Sequence, residues 1–180
     1  SDGQGCLGAF LSGVVGVEGG YSFSLAVLND GTVRSWGSNS RGQLGVGPGN
    51  PIPSSAVPVV VLDETGTGSL SGITSVVGGG NHAAALRYDG TLWTWGENTA
   101  GQLGDNTTAN RDLPARVKGE WGLGYLPGAV AIGCGSAHTL AVLADGTVRA
   151  WGANDGGQLG NGTLVPSSVP VPVTGLSNVR

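Results

Sequence analysis

Methionine is absent from the 180 residues, and cysteine is limited to Cys6 and Cys134. Two thiols so far apart make neither a disulfide framework nor a zinc site, so both are expected to be free. Charge is scarce as well. Asp, Glu, Lys and Arg together make up 11% of the chain, against roughly 25% in ordinary domains. With eight Lys and Arg, no basic run and a net charge of −4, the electrostatic footprint of a nucleic-acid binder is missing. No apolar stretch approaches the roughly 20 residues that cross a bilayer. The expectation is a soluble chain without a membrane partner, with cytoplasm and secretion both open. Catalytic signatures are lacking too. There is no G-x-S-x-G elbow, and no Gly-Lys-Ser/Thr completes the run Gly78-Gly79-Gly80 into a phosphate cradle. Cys134 and His138 have C-x3-H spacing but no further ligands. No catalytic residue, metal or cofactor is therefore assigned.

Glycine is what the chain has in excess, 36 of 180 residues, together with a repeat. Asp30-Gly31-Thr-Val-Arg-Ser-Trp36-Gly returns as Asp89-Gly90-Thr-Leu-Trp-Thr-Trp95-Gly and as Asp145-Gly146-Thr-Val-Arg-Ala-Trp151-Gly. Each copy runs on into Asn and then Gly-Gln-Leu-Gly, at 42–45, 101–104 and 157–160. The tryptophans recur at intervals of 59 and 56 residues, so the chain is read by its period first.

Aligned on Asp-Gly, each unit shows four strand-like pieces. A short apolar piece ends in glycine (Val14 to Val17, Ile73 to Val77, Ala129 to Ile132). Dense glycine there implies close backbone approach. The second piece (Phe23 to Leu28, His82 to Arg87, His138 to Leu143) is apolar enough to be buried on both faces. Because His82 and His138 stand where the first unit has Phe23, they are read as packed strand histidines. Asp-Gly then signals a hairpin, expected as a two-residue type I′ turn with φ > 0 at both central positions. The third piece carries the Trp, expected to fill the gap between neighbouring units, so that Trp36→Ala unfolds its blade. The fourth contains Pro58, Pro114 or Pro170. Proline cannot donate to a ladder, so this piece belongs at a sheet edge.

Four antiparallel strands, glycine-rich inside and proline-bearing outside, describe a β-propeller blade. The nearest rival is a solenoid of stacked hairpins. The fold expected is all-β: one repeat domain over 1–180 with blades at about 11–61, 70–117 and 126–173, and 174–180 opening a fourth repeat. Three blades do not close a ring, which takes at least four. The ring is expected to be incomplete or completed by an oligomer: the chain, which starts at Ser1 and stops within a strand-like piece, is read as part of something longer, with self-association as the alternative.

The signature D-G-x-V/L-x-x-W-G, then N-x-x-G-Q-L-G and a Val-Pro strand, resembles the regulator of chromosome condensation repeat family over nearly the whole chain. The resemblance implies a propeller, usually of seven blades, that binds other proteins. It also implies that the nine signature residues Asp30, Gly31, Trp36, Asp89, Gly90, Trp95, Asp145, Gly146 and Trp151 are structural. The Gly-Trp-Arg-His-Thr light-sensing motif of some members is absent, since Trp121 is followed by Gly-Leu-Gly. The reading is a non-catalytic protein-interaction module with a protein partner. Its alternatives are a regulator of an enzyme or small GTPase, as inhibitor or exchange factor, and a carbohydrate- or cell-wall-binding repeat domain.

Function is expected where the copies differ, in the linkers that join one unit to the next. These match in length but read Asp63-Glu-Thr-Gly-Thr-Gly-Ser-Leu70 and Gly119-Glu-Trp-Gly-Leu-Gly-Tyr-Leu126. Strand alternation puts them on the face of the Asp-Gly turns. Phe10, Trp121 and Tyr125 are the candidates for a partner-binding rim, against a role in capping the blade ends.

Overall fold

The Asp-Gly-Thr triplets set the frame of the computed structural model, which describes residues 10–179. Cys6 lies outside them. In each triplet the Asp carboxylate accepts from the Thr backbone N–H and hydroxyl: at Asp30 from Thr32 (2.9 and 2.7 Å), with the same pair at Asp89–Thr91 and Asp145–Thr147. These bonds, the Thr hydroxyl foremost, hold all three carboxyls below their usual pKa. The turn differs from the expected type I′. Among the non-glycine residues described only Asn106, Trp121 and Asn178 have positive φ, so Asp30 does not, while Gly31 sits at +76°. With Gly31 N–H donating to Leu28 O and Leu28 N–H to Thr32 O, both at 2.9 Å, the connection is a longer loop of type I form closed by a left-handed glycine. The Asp side chain, by bonding Thr, does locally what a second positive φ does in a I′ turn.

Each turn joins the second strand of a four-stranded antiparallel sheet to the third. The first sheet is β1 (Val14–Gly19), β2 (Phe23–Leu28), β3 (Val33–Ser38) and β4 (Ser54–Val60). The second is β5 (Ile73–Gly78), β6 (His82–Arg87), β7 (Leu92–Gly96) and β8 (Arg111–Arg116). The third is β9 (Ala129–Cys134), β10 (His138–Leu143), β11 (Val148–Gly152) and β12 (Ser167–Pro172). In every sheet the strands lie in sequence order, so β4, β8 and β12 are edges. Their prolines fall where the register slips: Ser35 pairs Val59 and Gly37 pairs Ser55, which leaves Pro58 in a bulge, as Pro114 and Pro170 are. A bulge needs no donor there.

The three sheets are propeller blades set side by side, with β1 packed beside β5 and β5 beside β9 as the inner strands. Each Asp-Gly carbonyl ties its blade to the next. Gly31 O accepts from Ile73 N–H, Gly90 O from Ala129 N–H and Gly146 O from Val179 N–H, at 3.0, 3.1 and 3.1 Å. The run Gly78–Gly80, considered above as a phosphate cradle, is a turn against both neighbours: Tyr21 N–H donates to Gly79 O and Gly80 N–H to Ser136 O.

The signature tryptophans pack backwards. Trp95 is fully buried and donates from Nε1 to Gln43 O at 2.9 Å, in the Gly-Gln-Leu-Gly loop of the preceding blade. A Cβ on the loop's last glycine would stand 3.1 Å from that indole nitrogen at Gly45 and 2.7 Å from its counterpart in Trp151 at Gly104, which is why the motif ends in glycine. Its Asn is equally fixed. Asn98 and Asn154 are buried and accept the Leu103 and Leu159 N–H at 3.0 and 2.9 Å. The first Trp departs from expectation. Trp36 lies on the side of blade 1 that no other described blade covers, and it is only half-buried.

The seam between blades 2 and 3 holds a polar chain. The Thr139 hydroxyl donates to Gln102 O at 2.9 Å, so it must accept from His82 Nε2–H, also at 2.9 Å. Gln102 O accepts this hydroxyl, and Trp151 Nε1, unlike Trp95 Nε1, has no partner. In blade 2 the residue equivalent to Thr139 is Ala83, and the indole has its carbonyl. His82 is thus the neutral Nε2–H form, with its other nitrogen buried and unpartnered, and burial lowers its pKa to about 4. As expected from its alignment with Phe23, it is a packed strand residue.

Two outcomes are expected. Trp95→Ala removes a fully buried indole and should cost about 3–5 kcal/mol, whereas Trp36→Ala should cost about half that or less, as read by urea denaturation. Equal losses would contradict the assignment of Trp36 to an uncovered face. The second concerns acid. His82 titrates near 4 when folded against an ordinary 6.5, so as pH falls the unfolded chain binds the proton first. Stability is therefore complete above pH 6.5 and declines toward pH 4, by roughly 3 kcal/mol. His138 shifts in the same direction through burial. His82→Phe, which copies blade 1, should flatten the decline; a slope as steep as that of the native chain would show that His82 does not cause it.

Candidate functional site

The two linkers are one structure with two different tips. In each, the chain leaving the edge strand turns back on itself: Leu62 bridges Ser69 in the first and Lys118 bridges Tyr125 in the second. Leu70 N–H donates to Val61 O at 2.9 Å, and Leu126 N–H donates to Val117 O at 3.2 Å. Val61, Leu70, Val117 and Leu126 are all buried, so the base of each hairpin is anchored in a seam between blades. The linkers lie on the face of the Asp-Gly turns, where Gly72 O accepts from Tyr88 N–H and Gly128 O from Ala144 N–H.

The tips diverge. Asp63 of the first linker accepts from the Thr65 hydroxyl and backbone N–H, an arrangement much like that of the Asp-Gly-Thr turns. The second has Gly119 in place of the Asp and forms a single 3-10 turn, Glu120–Gly122, in which Trp121 takes φ +61°. Its side chain is 85% exposed, and Leu123 beside it is 76% exposed. Glu120 holds the tip in place by accepting from Arg149 Nε of β11 at 2.6 Å.

Tyr125 stands on the returning arm, 48% exposed. Two cations lie over its ring: Arg116 Cζ at 4.4 Å from the centroid and Lys118 Nζ at 4.7 Å. They border a cavity of about 360 Å³ lined also by Glu64, Trp93 and Arg111. Arg111 is engaged by Asp105 at 2.7 Å. Burial works against the Asp105 carboxylate, but Thr107, Arg111 and Asn98 together hold its pKa below the ordinary value. The cavity's wall follows from one replacement within the repeat: β3 and β11 carry Arg34 and Arg149 where β7 carries Trp93, so Glu64 does not meet the arginine that Glu120 meets.

Trp121 and Tyr125 thus share one hairpin. Phe10, 87% exposed, belongs to the lead-in of blade 1, at the other end of the arc, and does not join them. The signature residues lie at turns and seams, Asp30, Gly31, Asp89, Gly90, Asp145 and Gly146 in the hairpins and Trp95 and Trp151 between blades. Arg116, Lys118 and Leu123 were not among the candidates read from sequence. The signal for the cations is the alternation Arg116-Val117-Lys118 at a strand end, which sends both to one side with buried Val117 on the other. Cys134 is a free, partly buried thiol whose pKa is raised by desolvation to about 12, and no cluster of three metal-binding side chains occurs among the described residues. Nor is any of their helices long and apolar enough to cross a membrane.

Comparison with known proteins agrees with this geometry. The regulator of chromosome condensation (RCC1) repeat matches residues 30–86, 89–142 and 145–180. The human probable E3 ubiquitin-protein ligase HERC6 is 41% identical over 82% of the chain, which spans 14% of that protein. The ultraviolet-B receptor UVR8 of Arabidopsis thaliana is 35% identical over 88% of the chain, which spans 34% of it. Among solved structures, human WBSCR16 superposes with a TM-score of 0.72 at 25% identity, covering 89% of this chain and 39% of that one. The chain therefore spans about a third or less of the relatives it matches in sequence, and by its repeats, their spacing and their blades it belongs to the regulator of chromosome condensation repeat family.

Proposed function

We propose that the chain is a non-catalytic protein-interaction segment of a propeller, and that its second linker hairpin is the surface that meets the partner. The observation that carries this reading is Trp121, a large side chain both exposed and held in the left-handed region. A left-handed non-glycine residue costs on the order of 1 kcal/mol, and an indole in water recovers none of it. Neither propensity nor packing accounts for Trp at that position, whereas recognition does: exposed aromatics on a rigid frame are the usual anchors of protein interfaces. The hairpin supplies rigidity through its buried base and the Glu120–Arg149 pair. The equivalent position of the first linker carries Thr65, so the feature is specific to one linker and not required by the fold. Phe10 is a further exposed aromatic on the approach to blade 1 and would serve only a partner broad enough to span the arc.

The test exploits the backbone. Trp121→Gly relieves the left-handed strain while removing the indole, so stability should stay unchanged or rise by up to about 1 kcal/mol. Cross-linked capture of the partner from the source proteome should be lost. A partner retained by Trp121→Gly, or a marked fall in melting temperature, would overturn the reading by showing a side chain that serves the fold.

A further inference from the structure

A pair of cations on this acidic chain lies beside that hairpin. Of eight Lys and Arg in a chain of net charge −4, Arg116 and Lys118 converge on one tyrosine ring. Neither has a carboxylate within ion-pair reach among the described residues, where Arg41, Arg111 and Arg149 each have one. Arg116 Nε is buried and has no hydrogen-bond partner. Two like charges around one ring repel each other, and the ring's quadrupole compensates only in part, by about 0.5–2 kcal/mol per cation. A buried guanidinium donor left unsatisfied adds a further cost. Glu64 is the one acid of the cavity wall not already engaged by an arginine. Asp89 feels the Arg116 charge without pairing with it, and on the cavity wall Arg111, Arg116 and Lys118 face only Glu64 and Asp105, so the wall keeps an excess positive charge, and Arg116 Nε has no acceptor among the described residues.

We infer that Arg116 and Lys118 clasp a side-chain carboxylate from an acidic segment of a partner protein, which enters the cavity beside Tyr125. The planar guanidinium offers paired donors to a carboxylate and the ammonium a point charge. Trp93 and the Tyr125 ring supply apolar walls for the methylenes that carry the acid. On the same hairpin, Trp121 and Leu123 are exposed, which fits an acidic segment that also bears an apolar residue. This inference rests on the proposed role of the hairpin and adds the chemistry of what binds there.

Fluorescence anisotropy with a labelled Glu-Glu-Leu-Asp-Glu-Leu peptide tests it, against a control in which every acid is replaced by its amide. The acidic peptide should bind the whole chain and the amide control should bind at least about tenfold more weakly. Raising salt from about 50 to about 200 mM should weaken the acidic peptide alone. Arg116→Gln with Lys118→Gln should reduce binding about tenfold or more, and Lys118→Glu alone should do so even if the double variant folds poorly. Equal binding of both peptides, binding unchanged in these variants, or none at about 1 mM peptide would overturn the inference. Trp121→Gly measured in parallel separates the two claims. If the peptide fails to bind while partner capture still depends on Trp121, only the carboxylate clasp falls. If the peptide binds through Arg116 and Lys118 while capture ignores Trp121, it is the indole anchor that falls.

Discussion

Burial of an indole under the Gly-Gln-Leu-Gly loop of the preceding blade is the contact on which the rest of the structure depends. Trp95 reaches Gln43 O, and the space it occupies exists only because Gly45 has no side chain. The loop in turn keeps its shape through the side chain of Asn39, which accepts the Leu44 N–H, as Asn98 and Asn154 do in the other two copies. The Asn and the Gly-Gln-Leu-Gly loop of one repeat and the Trp of the next thus describe one seam between two blades. A blade is complete only when its neighbour is present. This is the general logic of repeat folds, in which each unit's stability resides largely in nearest-neighbour interfaces. Trp36, which has no such loop beside it among the described residues, is half-buried for this reason and not because its own sheet differs.

Within that constraint the seams are not identical, and the differences follow from single positions. Where β6 has Ala83, the indole of its own blade finds a backbone carbonyl. Where β10 has Thr139, the hydroxyl bonds that carbonyl and His82, and Trp151 Nε1 has no partner. One hydroxyl therefore creates a buried His–Thr pair in this seam that its neighbour lacks. The same substitution logic runs along the third strands, β3, β7 and β11. Arginine at 34 and 149 becomes Trp93 in blade 2, and the acid at the tip of the first linker is released to face a cavity instead of an ion pair.

Much of this was legible in the chain. The strands, their antiparallel order and the edge position of the proline strand follow from apolar runs, Asp-Gly turns and the missing donor of proline, and all are observed. The turn type was misread because Asp-Gly was weighed as a dipeptide. The third residue, Thr, bonds the Asp carboxylate and makes a second positive φ unnecessary. Trp36 was misjudged because a repeat alignment treats all copies as interior, while burial depends on what stands beside each. The cations at 116 and 118 leave no mark in the linker sequence itself, because the charges that bracket Tyr125 come from the strand end before it. Side-chain convergence across a hairpin is a three-dimensional fact that spacing along one strand does not encode.

The division between frame and tip also explains why a strained residue can persist here. A left-handed tryptophan in a free loop would relax by local rearrangement, and its cost would be set by the loop alone. In the second linker both arms are fixed below the tip, by Leu126 on Val117 and by the Lys118–Tyr125 bridge, and the tip itself by Glu120 on Arg149. The strain is then on the order of 1 kcal/mol set against seams that each bury a full indole, worth several times as much. The blades tolerate it because their stability is generated elsewhere. A propeller of this kind can therefore change the chemistry of a linker tip, from the hydroxyls of Thr65 and Thr67 to the apolar Trp121 and Leu123, without altering a single contact that holds one blade to the next.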